Sequence, residues 1–272
     1  MISRADIDRL LAEDVPAGDL TTDALGIGDR RGRMTFAARY DMVLAGVEVA
    51  LKMVDGLTVV RYAHDGDRLS AGAPILDACG SAADLHRAWK AAQTLLEILS
   101  GIASATRAVV DAAAPVPVAT TRKTVPGARA LSQLAVRAGG GILHRHGLSE
   151  TILVFPEHRL FLAGESLSET AARLRRTQPE KALNIEVSTI DEAAEAAIAG
   201  FDVVQLEKFT PEALAELVSR LPAKGKRARL AAAGGIDPTN APAYVAAGAD
   251  LLVTSWPYTA RPRDVAVRFF AD

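Results

Sequence analysis

From residue 115 onward the chain repeats one unit, a short apolar run followed by a longer alanine-rich stretch. The runs are "VPVATTRK" (116–123), "TILVF" (151–155), "LNIEVS" (183–188), "VVQLEK" (203–208), "RLAAAGGI" (229–236) and "LLVTS" (251–255). Segments such as "TIDEAAEAAIAG" and "TPEALAELVSRL" separate them with helical periodicity. No other feature restricts the fold so tightly. A strand followed by a helix and another strand pairs in parallel through a right-handed crossover. The runs are apolar along their length, as a sheet covered on its outer face requires. An open doubly wound sheet fits this pattern. A closed βα barrel of six strands is preferred, because notable polar residues stand at the strand ends and a barrel gathers those ends at one mouth.

The first hundred residues follow a different grammar. An opening helix is expected around Ile7 to Glu13, then short strands in "RMTFAARYDMVLAG" and "LTVVRYA", with "HDGDRLSAGAPILDACG" rich in turns. A helix over 83–100 follows from Leu85, Trp89, Ala92, Leu96 and Leu99 at helical spacing, with Ser100-Gly101 as its stop. The fold class is therefore α/β in two domains, residues 1–105 and 106–272. The 31 Lys+Arg against 33 Asp+Glu exclude a general nucleic-acid binder, so any anion site must be local. No run approaches the eighteen or so apolar residues of a membrane span, and acids interrupt the N-terminal apolar pattern, so neither a membrane nor a signal peptide is expected. Cys79 is the only cysteine, which excludes an intrachain disulfide and suits a cytoplasmic protein. Neither G-x-G-x-x-G after a strand nor a Walker A sequence is present.

The barrel reading collects Thr121, Arg122 and Lys123 from the first strand end, Phe155 and His158 at and beyond the second, and Glu186 from the third. The fourth contributes Glu207 and Lys208, the fifth Gly234 and Gly235, and the sixth Ser255. "AGGGILHRHG" adds His144 and Arg145 after three glycines whose entropic cost suggests close passage of main chain by an anion. Carboxylates beside cations and glycine turns suit a magnesium-bound, phosphate-rich substrate. "GGIDP", before a helix starting near Pro238, is the best phosphate cradle in the chain. Singly, each feature has a plainer role. Arg122-Lys123 reads as a solvated strand end, His158 as a structural histidine, His144 and Arg145 as loop caps, and Gly234-Gly235 as a packing device. Glu186 and Glu207 are different, since carboxylates in apolar strands need a partner or an ion.

"TRKTVPGARALSQLAVRAGGGILHRHGL" resembles the signature of the type II phosphoribosyltransferases, specifically quinolinate phosphoribosyltransferase. "EDVPAGDLTTDAL", "LSGIASATR" and "AAGGID" extend the likeness along nearly the whole chain. "GLSETILVFPEHRLFL" is similar to a branch of that family named for an association with molybdenum uptake. The resemblance implies an N-terminal α/β sandwich and a C-terminal six-stranded α/β barrel, with a last helix packing back on the first domain. It implies a homodimer with shared active sites, and small-molecule substrates. The family joins phosphoribosyl pyrophosphate (PRPP) to a pyridine nitrogen with release of pyrophosphate. Carried over by motif, Arg122, Lys123, His144 and Arg145 bind acidic substrate and phosphates. Glu186 and Glu207 serve ribose and Mg²⁺, Glu207 standing where the family has aspartate, and Gly234, Gly235 and Ser255 line the 5′-phosphate site.

Departures from the family pattern cluster around the acceptor. Glu97-Ile98 replaces Gln-Arg, Phe155 replaces a lysine, Glu157 and Lys208 each replace an asparagine, and Ala233 replaces a serine. Two cations expected around a dicarboxylate are thus missing, which argues for a flatter, less anionic acceptor than quinolinate. The competing reading is a catalytically altered relative that binds a phosphorylated metabolite or oxyanion and releases no pyrophosphate. "HDGDRLSAGAPILDACG" also resembles biotinyl and lipoyl carrier modules, but Lys52 falls in a helical segment rather than a hairpin tip, leaving shared sandwich geometry only.

Overall fold

The strand–helix alternation expected after residue 115 is present in the computed structural model, which describes residues 2–162, 164–222 and 227–272. The chain divides into two units. One comprises Met1–Arg107, Thr124–Gly140 and Pro257–Asp272; the other comprises Ala108–Lys123 and Gly141–Trp256. The division is thus not one cut near residue 105.

In chain order the first strands are β1 (Arg31–Ala38), β2 (Met42–Val43), β3 (Thr58–Arg61), β4 (Arg68–Leu69) and β5 (Pro74–Ser81). Then come β6 (Val118–Thr120), β7 (Ile142–Leu143), β8 (Ile152–Val154), β9 (Leu183–Val187), β10 (Val203–Glu207), β11 (Arg229–Ala233), β12 (Leu251–Thr254) and β13 (Val265–Ala271). In the first unit, β1 is the centre of an antiparallel sheet ordered β13-β1-β5-β3. Its residues alternate between exposed and buried, burying Met34 and Phe36. The carboxyl-terminal segment, expected as a helix, is instead β13. It pairs antiparallel with β1 from Gly32↔Ala271 to Ala38↔Val265, and its β-branched and aromatic run "VAVRFF" favours a strand.

The helix expected over 83–100 runs from Ala82 to Ala113. Ser100-Gly101 does not stop it. The Ser100 hydroxyl accepts the Ala45 N–H at 3.1 Å, and a Cβ on Gly101 would lie 2.5 Å from the Arg261 carbonyl oxygen. Gly101 is there for close backbone approach.

In the second unit seven strands lie in the order β7-β6-β12-β11-β10-β9-β8. The six expected strands are present and run parallel; β7, inserted between the first two, is the addition. The short edges β7 and β8 are not paired to each other, so hydrogen bonding leaves the barrel open rather than closed. One sheet face carries Leu183, Ile185, Val204, Leu206, Leu230 and Leu252 into the main core against the helices. The opposite face carries a small floor of Ala119, Val203, Ala231, Ala233 and Val253. Among the described residues no helix is long and apolar enough to cross a membrane.

Candidate active site

Strand register assembles the acidic part of the site. Gln205 of β10 stands opposite Glu186 of β9, and Glu207 opposite Ala233 of β11. Side chains two apart on a strand share a face and parallel partners in register share it too. Glu186, Gln205 and Glu207 therefore project from one face, above the alanine–valine floor. That floor leaves room. A cavity of about 650 Å³ opens there, entirely within the second unit.

Twelve of the expected residues meet in this cavity: Thr121, Arg122, Lys123, His144, Arg145, Phe155, Glu186, Glu207, Lys208, Gly234, Gly235 and Ser255. His158 does not. Its Nδ1 accepts the Phe155 N–H at 2.9 Å and its ring stacks on Phe155, so it fixes the turn after β8. Gln205 and Glu157 also line the cavity and were not expected there as site residues. Gln205 was legible, as the one polar residue of "VVQLEK" two places before Glu207 and so on its face. Ile98 belongs to the other unit and is not among the lining residues.

The glycines act differently from expectation. Gly139 and Gly140 do not line the cavity. A Cβ on Gly139 would lie 2.5 Å from the Ala103 carbonyl, and one on Gly140 2.5 Å from the Arg107 guanidinium, so they allow close packing within the first unit. Gly234 and Gly235 both take positive φ, at 91° and 75°. A Cβ on Gly234 would crowd the Lys208 main chain at 3.0 Å, whereas Gly235 opens onto free space. The following helix begins at Ala241 rather than near Pro238, after a turn in which Asn240 donates to the Gly235 carbonyl at 2.8 Å. The cradle is thus a glycine turn, not a helix end. Lys208, at φ 56°, is the only non-glycine residue with positive φ among the described residues, a conformation that strains any residue with a Cβ.

Electrostatics divide the lining in two. Arg145 is 5% exposed and its guanidinium carbon lies 5.6 Å from the Phe155 ring centroid. Among the described residues no carboxylate pairs with it. Burial and then Arg122 reduce its hold on its proton, though a guanidinium stays charged at any working pH. Burial, Arg145 and Arg122 push the His144 pKa down, so this residue, expected to bind substrate anions beside Arg145, stands neutral at pH 7. Its Nε2 is buried without a hydrogen-bond partner. On the acidic side, burial first and the charge of Glu207 second push the Glu186 carboxyl up, while a hydrogen bond donated by Gln205 holds it down.

Among the described residues no cluster of three or more His, Cys, Asp or Glu could hold a metal ion by itself. Two carboxylates that repel each other across a cavity nevertheless fit a hard divalent cation. Mg²⁺ is commonly bound through one or two carboxylates together with substrate phosphates and water.

The family models for the N-terminal and C-terminal domains of quinolinate phosphoribosyl transferase match residues 19–100 and 102–268. A Rhodobacter capsulatus protein carrying the name pyrophosphorylase ModD is 44% identical over 238 residues, 85% of this chain and 92% of its own. Its namesake in Escherichia coli O6:H1 is 40% identical over 273 residues, covering 98% and 96%. Among solved structures, the nicotinate-nucleotide pyrophosphorylase of Francisella tularensis superposes with a TM-score of 0.90 at 25% identity, over 99% of this chain and 98% of that one.

Proposed function

Since the chain belongs to the quinolinate phosphoribosyltransferase family, we propose that its strand-end cavity transfers phosphoribosyl from PRPP to the ring nitrogen of a heterocycle other than quinolinate. Pyrophosphate is the product released. The observation that carries the reading is Arg145, a buried guanidinium with no carboxylate among the described residues to balance it. Such a charge is expensive unless an anion arrives to pair with it.

Each residue then takes a part. Arg122, Lys123 and Arg145 hold substrate anions, while neutral His144 offers a hydrogen bond without adding charge. Gly234 and Gly235 bring main-chain N–H groups to the 5′-phosphate beside Ser255. Glu186 and Glu207 face the ribose and would hold Mg²⁺, which when bound neutralises the leaving pyrophosphate. Their carboxylates also favour the positive charge that develops at the anomeric carbon as its bond to pyrophosphate lengthens. The bond to the acceptor nitrogen forms as that bond breaks. Phe155 stands where the family's lysine would meet a second substrate carboxylate, so a dicarboxylate acceptor loses a charge-assisted contact worth about 1.5–3 kcal/mol.

Steady-state assays with PRPP, Mg²⁺ and quinolinate, nicotinate or other azaheterocycles test this reading. Pyrophosphate release is expected with a non-quinolinate acceptor. Quinolinate turnover above about 10⁴ M⁻¹s⁻¹ would overturn the acceptor assignment. Tight PRPP binding without release by any acceptor would instead support a sensor of phosphorylated metabolites.

A further inference from the structure

We propose that the acceptor is a flat heterocycle with at most one anionic group, and that it presents an N–H donor to Glu157. This rests on the phosphoribosyl-transfer reading and names the acceptor class for it. Glu157 is the second residue of the short helix Pro156–Arg159, which follows Phe155, and both Phe155 and Glu157 line the cavity. The basic residues beside it on that helix are already engaged. His158 Nδ1 takes the Phe155 N–H and Arg159 pairs with Glu192. Glu157 is exposed, and no hydrogen bond or ion pair within the described residues holds its carboxylate, which is therefore free to meet a ligand in the cavity.

The charge around the cavity points the same way. Arg122, Lys123, Arg145 and Lys208 line the cavity together with Glu157, Glu186 and Glu207, with the His144 pKa pushed down. PRPP alone brings a phosphate and a pyrophosphate to those four cations. Among the residues this chain itself contributes, a dianionic acceptor would find no cation in surplus and would meet Glu157 besides. A single carboxylate can still share Arg145, with the acceptor ring against Phe155, which lies beside that guanidinium. The remaining polar partner is an acceptor-only carboxylate, and the group that satisfies it is an amino substituent or a protonated ring nitrogen.

Calorimetry on the full chain with Mg²⁺ decides this, using 6-aminonicotinate, nicotinate and quinolinate as probes. 6-Aminonicotinate is expected to bind at least about tenfold more tightly than nicotinate, the value of one charge-assisted hydrogen bond, and quinolinate most weakly. Glu157→Ala should bring the two monocarboxylates within about twofold. The isosteric Glu157→Gln should shrink the preference while its thermal transition matches wild type. The proposal is overturned if quinolinate binds most tightly, if the amino preference survives in both variants, or if 6-aminonicotinate shows no binding. PRPP binding to the wild type, measured in parallel, separates the two claims. Its absence defeats the transferase reading, whereas PRPP binding with the wrong acceptor order defeats only this inference.

Discussion

Glu186, Lys208 and His144 are each held in a state that favours function over stability. The Glu186 carboxyl keeps its proton to higher pH in the folded chain than in the unfolded one. Its ionised form therefore costs stability at neutral pH, and the cost disappears below about pH 4.5, where both states are protonated. Glu186→Gln is expected to raise the thermal midpoint at pH 7.5 by about 2–4 °C while reducing turnover at least about 100-fold. A midpoint that falls would contradict the repulsion argument. Lys208 sits in the left-handed region, at a cost of roughly 1 kcal/mol. Lys208→Gly should recover about that amount in denaturant unfolding and weaken PRPP binding. His144 shows the opposite sign from Glu186, because its proton is released more readily in the folded chain. Acidification through about pH 6.5 protonates the unfolded chain first, so stability falls with pH by up to about 1.4 kcal/mol per unit. His144→Gln should flatten that slope between pH 7 and 5, and parallel curves would refute the assignment.

Among the elements, the parallel strands were legible because short, continuously apolar runs alternate with alanine-rich helices, a signal long enough to survive local noise. The edge strand β7 was not, since Ile142–Leu143 is two residues long within a glycine-rich motif. Glycine misled twice for one reason. Sequence displays the missing side chain but not what approaches it, so Gly101 read as a helix stop and the 139–141 triplet as a substrate passage. At both Gly101 and Gly139 a Cβ would instead lie 2.5 Å from another segment's carbonyl oxygen. A Gly→Ala change within a helix ordinarily stabilises it by about 0.5–1 kcal/mol. At Gly101 the clash with the Arg261 main chain should reverse the sign and destabilise by about 1–2 kcal/mol in urea unfolding. At the site, the strand-end residues were found because a parallel sheet brings its carboxyl ends to one edge. His158 was misplaced because a ring nitrogen three residues into a turn caps its own backbone as readily as it meets a ligand.

At the scale of the whole molecule, the family pattern argues for a dimer in which each active site draws on both subunits. We propose that arrangement for this chain, and sedimentation equilibrium should return twice the 28.6 kDa chain mass. The account as a whole depends on one claim, that the cavity at the ends of β6, β9, β10, β11 and β12 holds PRPP. Calorimetric titration of PRPP into the full-length protein, with and without Mg²⁺ and in parallel with Arg145→Ala, tests it most directly. The account predicts micromolar binding strengthened by Mg²⁺ and weakened at least about 100-fold in the variant, as loss of a buried charge-assisted partner requires. PRPP binding that is absent, or indifferent to both Mg²⁺ and Arg145, would contradict it.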